Sequence, residues 1–471
     1  MCMVDRLIAG CPPERYKKAI PVLLIIGLNL AIYSVKINGE FLADDFIFSL
    51  KASQFTLTTE NLLNIGINGY ASWFYRPVSM LVWVLLHKVF GLAPFPFHIA
   101  IAILHVINCI LLWFFLRLKF SDDLAFLSAC IFSIFTGHIE AVFWLACIHD
   151  ILCMQFFLLS LLFLVFFLEN RPYGWYGASL AFALLAVMSK EVAAILPAVV
   201  FILSAGLFRR DKPKVKHLLL SLIWSVPYAV IALVYMLARL RILKGAGMQP
   251  TLYHMYFDPA LFLKYWVLLC NLTMPFKRTS LILALLPFIV GVFLFAVGFC
   301  FLKKNQSRNA IFFGAAWLFI TAFPTLGLID SQHYISRFNY IPAAGFCLVA
   351  AQMLVLAPRC RFKDKSIPLA SFLIVALYCL NSIHHSQYWK NAWQTSAAVQ
   401  AGFRNDVQPL LDKQATVYFH LIPEFVEGAA VFYIGLPECF LLLSTEEGQR
   451  FSFFPRGIAP RILFSQTNPM E

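Results

Sequence analysis

Gly39-Glu40-Phe41-Leu42-Ala43-Asp44-Asp45-Phe46-Ile47-Phe48 sets two adjacent acids in apolar surroundings, just after the first long apolar run, residues 19–35. Arg6, Arg15, Lys17 and Lys18 precede that run, and Lys36-Ile37-Asn38-Gly39-Glu40 follows it with no small-residue cleavage site. The pattern reads as an uncleaved first membrane span whose basic end, and with it the N-terminus, is cytoplasmic. The acids then fall on the outer face. Asp and Glu number only 24 among 471 residues, so a doublet here needs a reason. It reads either as a catalytic carboxylate pair, Asp44 and Asp45, held at a membrane surface, or as a solvated turn just beyond a helix.

Working outward, the whole chain has the composition of a multi-spanning membrane protein. Hydrophobic residues make up 61% and charged residues 13%, with a mean hydropathy of +0.77, far from a soluble domain. The formal net charge of +13 is therefore no nucleic-acid signal; in a lipid bilayer protein, excess Lys and Arg gather in cytoplasmic loops and fix orientation. Twelve cysteines are scattered through apolar runs without a CxxC or Cys/His ligand pattern, and read as small buried hydrophobes.

The fold expected is an all-α polytopic membrane protein with about eleven transmembrane helices, residues 1–385, followed by a small extracytoplasmic α+β domain, residues 386–471. Residues 78–90 are too short to cross at the roughly 20 residues a span needs, and should lie along the interface. Spans are expected at 94–118, 124–146, 151–168, 174–190, 192–208, 218–238, 281–302, 309–329, 338–356 and 367–383. The segment 259–276, broken by Lys264, Asn271 and Pro275, is better read as interfacial or re-entrant, because that puts Lys303, Lys304 and Arg308 inside. Arg239, Arg241 and Lys244 conflict with the charge rule and are read as holding anionic lipid headgroups. After residue 386, runs such as 415–421, 431–434 and 440–443 look like short strands.

This topology gathers ionisable groups on the outer side, where they are costly and tend to be functional. His138 and Glu140 stand two apart, which is not one helix face, so they are read as a capping cluster or as substrate contacts rather than a metal pair. Asp150 reads as a helix N-cap or a site acid. Lys190 and Glu191 interrupt the apolar stretch 181–200, by snorkelling at a turn or by function; with Ser189 their only polar neighbour, function is preferred. Arg337, in Ser336-Arg337-Phe338-Asn339-Tyr340, either binds a phosphate or anchors a helix at headgroups. No P-loop, GxGxxG or GxSxG occurs where a soluble cofactor has access, leaving carboxylates and cations facing the outer leaflet.

The order of these pieces is familiar. Tyr75-Arg76-Pro77, then Gly91-Leu92-Ala93-Pro94-Phe95-Pro96-Phe97-His98, then His138-Ile139-Glu140-Ala141-Val142-Phe143-Trp144 with Asp150, then Ser189-Lys190-Glu191 resemble the GT-C superfamily of membrane glycosyltransferases, in particular the transmembrane O-mannosyltransferase branch and its bacterial relatives. The chain departs from that pattern at Phe135-Thr136, Ile148 and Ile101 and has no TPR array. The resemblance implies sugar transfer, mannose among the sugars, from a polyprenyl-phosphate-linked donor to a protein or glycan acceptor outside the cytoplasm. It implies Asp44 or Asp45 as general base, Lys190 and Arg337 at the departing phosphate, and Arg76, His138, Glu140, Asp150, Glu191 and Tyr340 as substrate-binding residues. No cofactor is required, and a divalent cation on the acids is compatible. The membrane expected is a bacterial inner membrane, with the endoplasmic reticulum as the alternative. A lipid-linked-sugar flippase and an inactive scaffold are the competing functions.

Overall fold

The computed structural model describes residues 14–34, 38–61, 74–169, 171–207, 214–245, 305–328, 336–356, 366–411, 422–426, 429–432, 436–443, 450–453 and 462–465. In chain order the helices are α1 (Glu14–Tyr33), α2 (Asp44–Gln54), α3 (Pro77–Phe90), α4 (Pro94–Arg117), α5 (Asp122–Ile134), α6 (Ile139–Phe143), α7 (Ile148–Leu168), α8 (Tyr173–Ser189), α9 (Leu196–Leu207), α10 (Lys214–Gly245), α11 (Asn305–Ala322), α12 (Pro342–Leu356), α13 (Ser366–Gly402), α14 (Gln408–Leu411) and α15 (Leu436–Leu443). Short 3₁₀ turns at Thr136–His138, Leu145–Cys147, Glu191–Ile195 and Ser336–Asn339 link several of them. Two antiparallel pairs, β1 (Phe425–Val426) with β2 (Ala429–Ala430) and β3 (Arg450–Phe453) with β4 (Ile462–Ser465), are the strands described.

Length and apolarity qualify three described helical stretches to cross a membrane, Pro94–Arg117, Leu145–Leu168 and Val215–Leu243. A fourth is bent: Asp122–Ile134 and Thr136–Phe143 meet at 57°. The sequence reading had one straight span over 124–146. Instead the backbone turns extended at Phe135, and the freed carbonyls find distant donors, Ser382 Oγ at 2.6 Å to Ile134 and Asn339 Nδ2 at 3.1 Å to Gly137. In an apolar bundle a helix breaks only where such donors exist.

Tight packing comes from small residues and polar ties. Where α11 meets α12, a Cβ on Gly314 would lie 2.8 Å from the Gly345 carbonyl, so glycine lets the two backbones approach. Ser160 on α7 donates to the Ser179 carbonyl on α8 at 2.9 Å, and the Ser179 hydroxyl lies 2.6 Å from the Tyr228 hydroxyl on α10. These bonds satisfy polar groups that lipid cannot.

Several boundaries move. α10 runs through to Gly245, so Arg239 and Arg241 are helical, and Arg239 is buried at 2% exposure rather than standing in a headgroup loop. α13 is continuous from Ser366 to Gly402 and crosses the expected domain boundary at residue 386. Residues 440–443 are helix, not strand, and residues 431–432 form a bend. The 259–276 and 281–302 segments, Lys303, Lys304 and the 415–421 run lie outside the described residues.

Candidate functional site

The acid-bearing loop is pinned at almost every backbone group. Phe41 O accepts from Ser396 Oγ at 2.8 Å, Leu42 O from Trp144 Nε1 at 3.3 Å, and Ala43 N–H donates to Val431 O at 2.8 Å. Ala43 is held at φ 43°, the left-handed region that costs a residue with a Cβ about 1–3 kcal/mol. Gly39 precedes it where a Cβ would collide with His98 and Trp393. The loop thus enters α2 in one conformation, with Asp44 and Asp45 on the first turn, where the helix dipole favours negative charge.

The two acids part company. Asp45 is fully buried, and its carboxylate accepts from Leu42 N–H at 2.8 Å and from Ala146 N–H at 2.7 Å, clamping the loop to the turn before α7. Burial pushes its carboxyl well above the usual range, against the pull of those two donors. Asp44 is half-buried and makes no hydrogen bond or ion pair among the described residues. Burial raises its carboxyl above the usual range too, with Arg337 and Arg76 pulling it down and Glu438 pushing it up.

Around Asp44 the expected cations and acids come together as pairs. Lys190 Nζ, at the end of α8, sits 2.6 and 2.7 Å from the two oxygens of Asp150 in the first turn of α7. Arg76, ahead of α3, grips Glu191 with Nε at 2.9 Å and Nη2 at 2.6 Å. Arg337 Nη1 reaches Glu140 Oε1 at 2.7 Å, and its backbone N–H reaches Oε2 at 3.0 Å. The Arg337 guanidinium lies 4.7 Å from the Trp144 ring centroid, and the Lys190 ammonium 5.2 Å from that of Phe338. Asp150, Glu140 and Glu191 each match a basic partner, so their charge is already neutralised, as burial demands. Arg337 is the cation with reach to spare: its side chain is 25% exposed, against 3% for Lys190.

His138 and Tyr340 pack against each other in the interior, with ring centroids 5.0 Å apart. Both are fully buried, and the ring of His138 is packed by Phe132, Phe135, His105 and Tyr340 at centroid distances of 4.7–5.6 Å. The Tyr340 hydroxyl lies 2.7 Å from His105 Nδ1 and accepts from Asn108 Nδ2 at 3.2 Å. They support the bend that carries Glu140. Sequence reasoning missed Ser336, whose hydroxyl meets both the carboxylate and the N–H of Glu140 at 3.3 Å, and the indole of Trp144, whose only sequence signal was its place in the quoted motif. Among the described residues no three His, Cys, Asp or Glu side chains cluster closely enough to hold a metal ion.

A helical membrane chain with paired acids and cations at the ends of its helices resembles the GT-C superfamily of membrane glycosyltransferases. In particular, residues 76–241 match the family model described as dolichyl-phosphate-mannose-protein mannosyltransferase. The human protein O-mannosyl-transferase TMTC2 is 27% identical over 207 residues, which cover 41% of this chain and 25% of that protein; the chain thus matches a quarter of that relative's length. Among solved structures, an Archaeoglobus fulgidus oligosaccharyltransferase complexed with Zn and sulfate aligns over 90% of this chain and 61% of its own, at 14% identity and a TM-score of 0.48. ArnT from Cupriavidus metallidurans, bound to undecaprenyl phosphate, aligns over 90% of this chain and 75% of its own, at 15% identity and a TM-score of 0.39.

Proposed function

We propose that this chain is a glycosyltransferase that moves a sugar, mannose in the first instance, from a polyprenyl-phosphate donor to an acceptor hydroxyl on the non-cytoplasmic face. The observation that carries the reading is the contrast at the doublet. Asp45 spends both oxygens on the backbone, whereas Asp44 stands uncommitted beside Arg337 and Arg76. The match of residues 76–241 to mannosyltransferases supports the reaction class.

In this reading the acceptor oxygen attacks the anomeric carbon as the bond from that carbon to the phosphate oxygen breaks. Asp44 takes the hydroxyl proton, a general-base contribution of roughly 10²–10⁴-fold. The polyprenyl phosphate leaves with its negative charge, which Arg337 meets with the N–H groups not given to Glu140. Lys190 adds positive potential from behind, its charge shared with Asp150. The donor's chain lies in the bilayer, so it needs no nucleotide-binding loop.

The test is transfer from a synthetic polyprenyl-phosphate mannose by the full chain in nanodiscs. Asp44→Asn should abolish transfer while leaving donor binding near the wild-type level. Transfer undiminished in Asp44→Asn would overturn the assignment of the base. Movement of lipid-linked sugar across vesicles without transfer would instead favour the flippase reading.

A further inference from the structure

His149 is a buried polar residue that the proposed reaction does not use. It stands in the first turn of α7, directly before Asp150, and is 3% exposed. Neither of its ring nitrogens has a hydrogen-bond partner among the described residues. Polar nitrogens buried in this way cost free energy that an apolar side chain of similar size would not. Packing alone gives no reason to keep an imidazole here, whereas a ligand that bonds to it does.

Its surroundings say which ligand. The imidazole stands edge-on to the Phe48 ring at 5.2 Å, and Phe48 lies one helical turn along α2 from Asp44. Arg76, Lys190, Glu191 and Arg337 all act on His149 electrostatically, and Arg76 and Arg337 act on Asp44 as well. His149 and Asp44 thus share two arginine neighbours, one of them the cation assigned to the departing phosphate. A neutral imidazole offers one donor and one acceptor. A phosphate has only acceptors to give and an ammonium only donors, so either would leave one nitrogen unpaired. A hydroxyl is both donor and acceptor, and can match whichever nitrogen it meets.

We infer that His149 binds a hydroxyl of the sugar being transferred, and so helps to decide which sugar the chain accepts. The inference rests on the glycosyltransferase reading, which sets the donor's phosphate at Arg337. The group bonded to that phosphate is the sugar, and His149 is the neighbour of Arg337 with hydrogen bonds still to make.

The test is binding to the full chain in nanodiscs, followed by native mass spectrometry. Polyprenyl-phosphate mannose, each of its monodeoxy analogues and bare polyprenyl phosphate are titrated separately. One analogue should bind wild type roughly 5- to 100-fold more weakly than the mannose donor, the effect of leaving a buried polar partner unsatisfied. In His149→Leu that gap should close, while bare polyprenyl phosphate binds as before. His149→Gln, which keeps a donor and an acceptor, should retain part of the gap. Ligand-free His149→Leu should melt no lower than wild type, since two unsatisfied buried nitrogens have gone. No gap in wild type, or a gap that survives in both variants, overturns the inference. Both variants melting far below wild type would mark a packing role and also overturn it. Wild-type protein that shows the gap through His149 yet transfers no sugar would refute the glycosyltransferase reading and leave this site standing. Transfer by wild type with a gap indifferent to residue 149 would do the reverse.

Discussion

Adjacent carboxylates on one helix turn meet opposite fates here, and substitution should separate them. Asp45→Asn turns an amide NH₂ toward one of two backbone N–H groups that now donate to it, Leu42 or Ala146. Leaving one buried donor unsatisfied costs about 1–3 kcal/mol, so the melting temperature should drop. Asp44→Asn should not lower it. A carboxyl raised above its unfolded value contributes stability below the unfolded pKa and loses it as pH climbs through the folded one. At neutral pH a charged Asp44 is thus a liability, and the amide removes it. The same shift sets the acid limb of catalysis. A base works deprotonated, so the transfer rate should fall with decreasing pH at a point above the usual carboxylate range. A rate profile flat through that region would remove Asp44 as the base. The doublet itself was legible in the sequence, but which member was free was not, because the Ala146 amide that occupies Asp45 lies 101 residues away.

At the scale of elements, apolar length revealed most helices and concealed where they break. The spans expected at 94–118 and 151–168 fall on helical stretches long and apolar enough to cross a membrane, Pro94–Arg117 and Leu145–Leu168. The bend at Phe135 depends on Ser382 and Asn339, distant side chains that give no local signal. The ties between elements were equally hidden: Arg76 and Glu191 were each singled out, but nothing in their spacing couples α3 to the turn after α8. Glu191→Gln, leaving a buried guanidinium with half its partner, should destabilise by about 3–5 kcal/mol, measured by thermal or detergent melting. The C-terminal segment has a comparable hold on α2. Phe432 stacks on Phe46 at 5.8 Å, next to the Val431 carbonyl that receives the strained Ala43 N–H. Phe432→Ala should therefore loosen the acid loop and depress kcat more than KM in the transfer assay. An unchanged kcat would show that the loop holds itself.

For the whole molecule, the decisive relation is between the site and the bilayer. The groups of the candidate site lie at helix ends: the starts of α2, α3, α6, α7 and α12 and the end of α8. Arg117, Lys119 and Glu169, at the opposite ends of α4 and α7, form the other pole, where Lys119 pairs with Glu169 at 3.0 Å. The proposed function requires that pole to be the cytoplasmic one, as the charge rule applied to Arg117 and Lys119 would have it, with sugar transfer across the membrane from it. Single cysteines test this in a background where the native thiols are replaced. Glu60 and Arg171 are both exposed, one beyond α2 and the other between α7 and α8. Glu60→Cys should react with an impermeant maleimide applied outside sealed cells. Arg171→Cys should react only after permeabilisation. Labelling of both from outside would place α7 wholly on one side of the bilayer, which a helix of 21 residues and a length of about 30 Å contradicts. Reversed labelling would put Asp44 and Arg337 in the cytosol, where soluble nucleotide sugars compete as donors, and the case for a lipid-borne donor would fall with it.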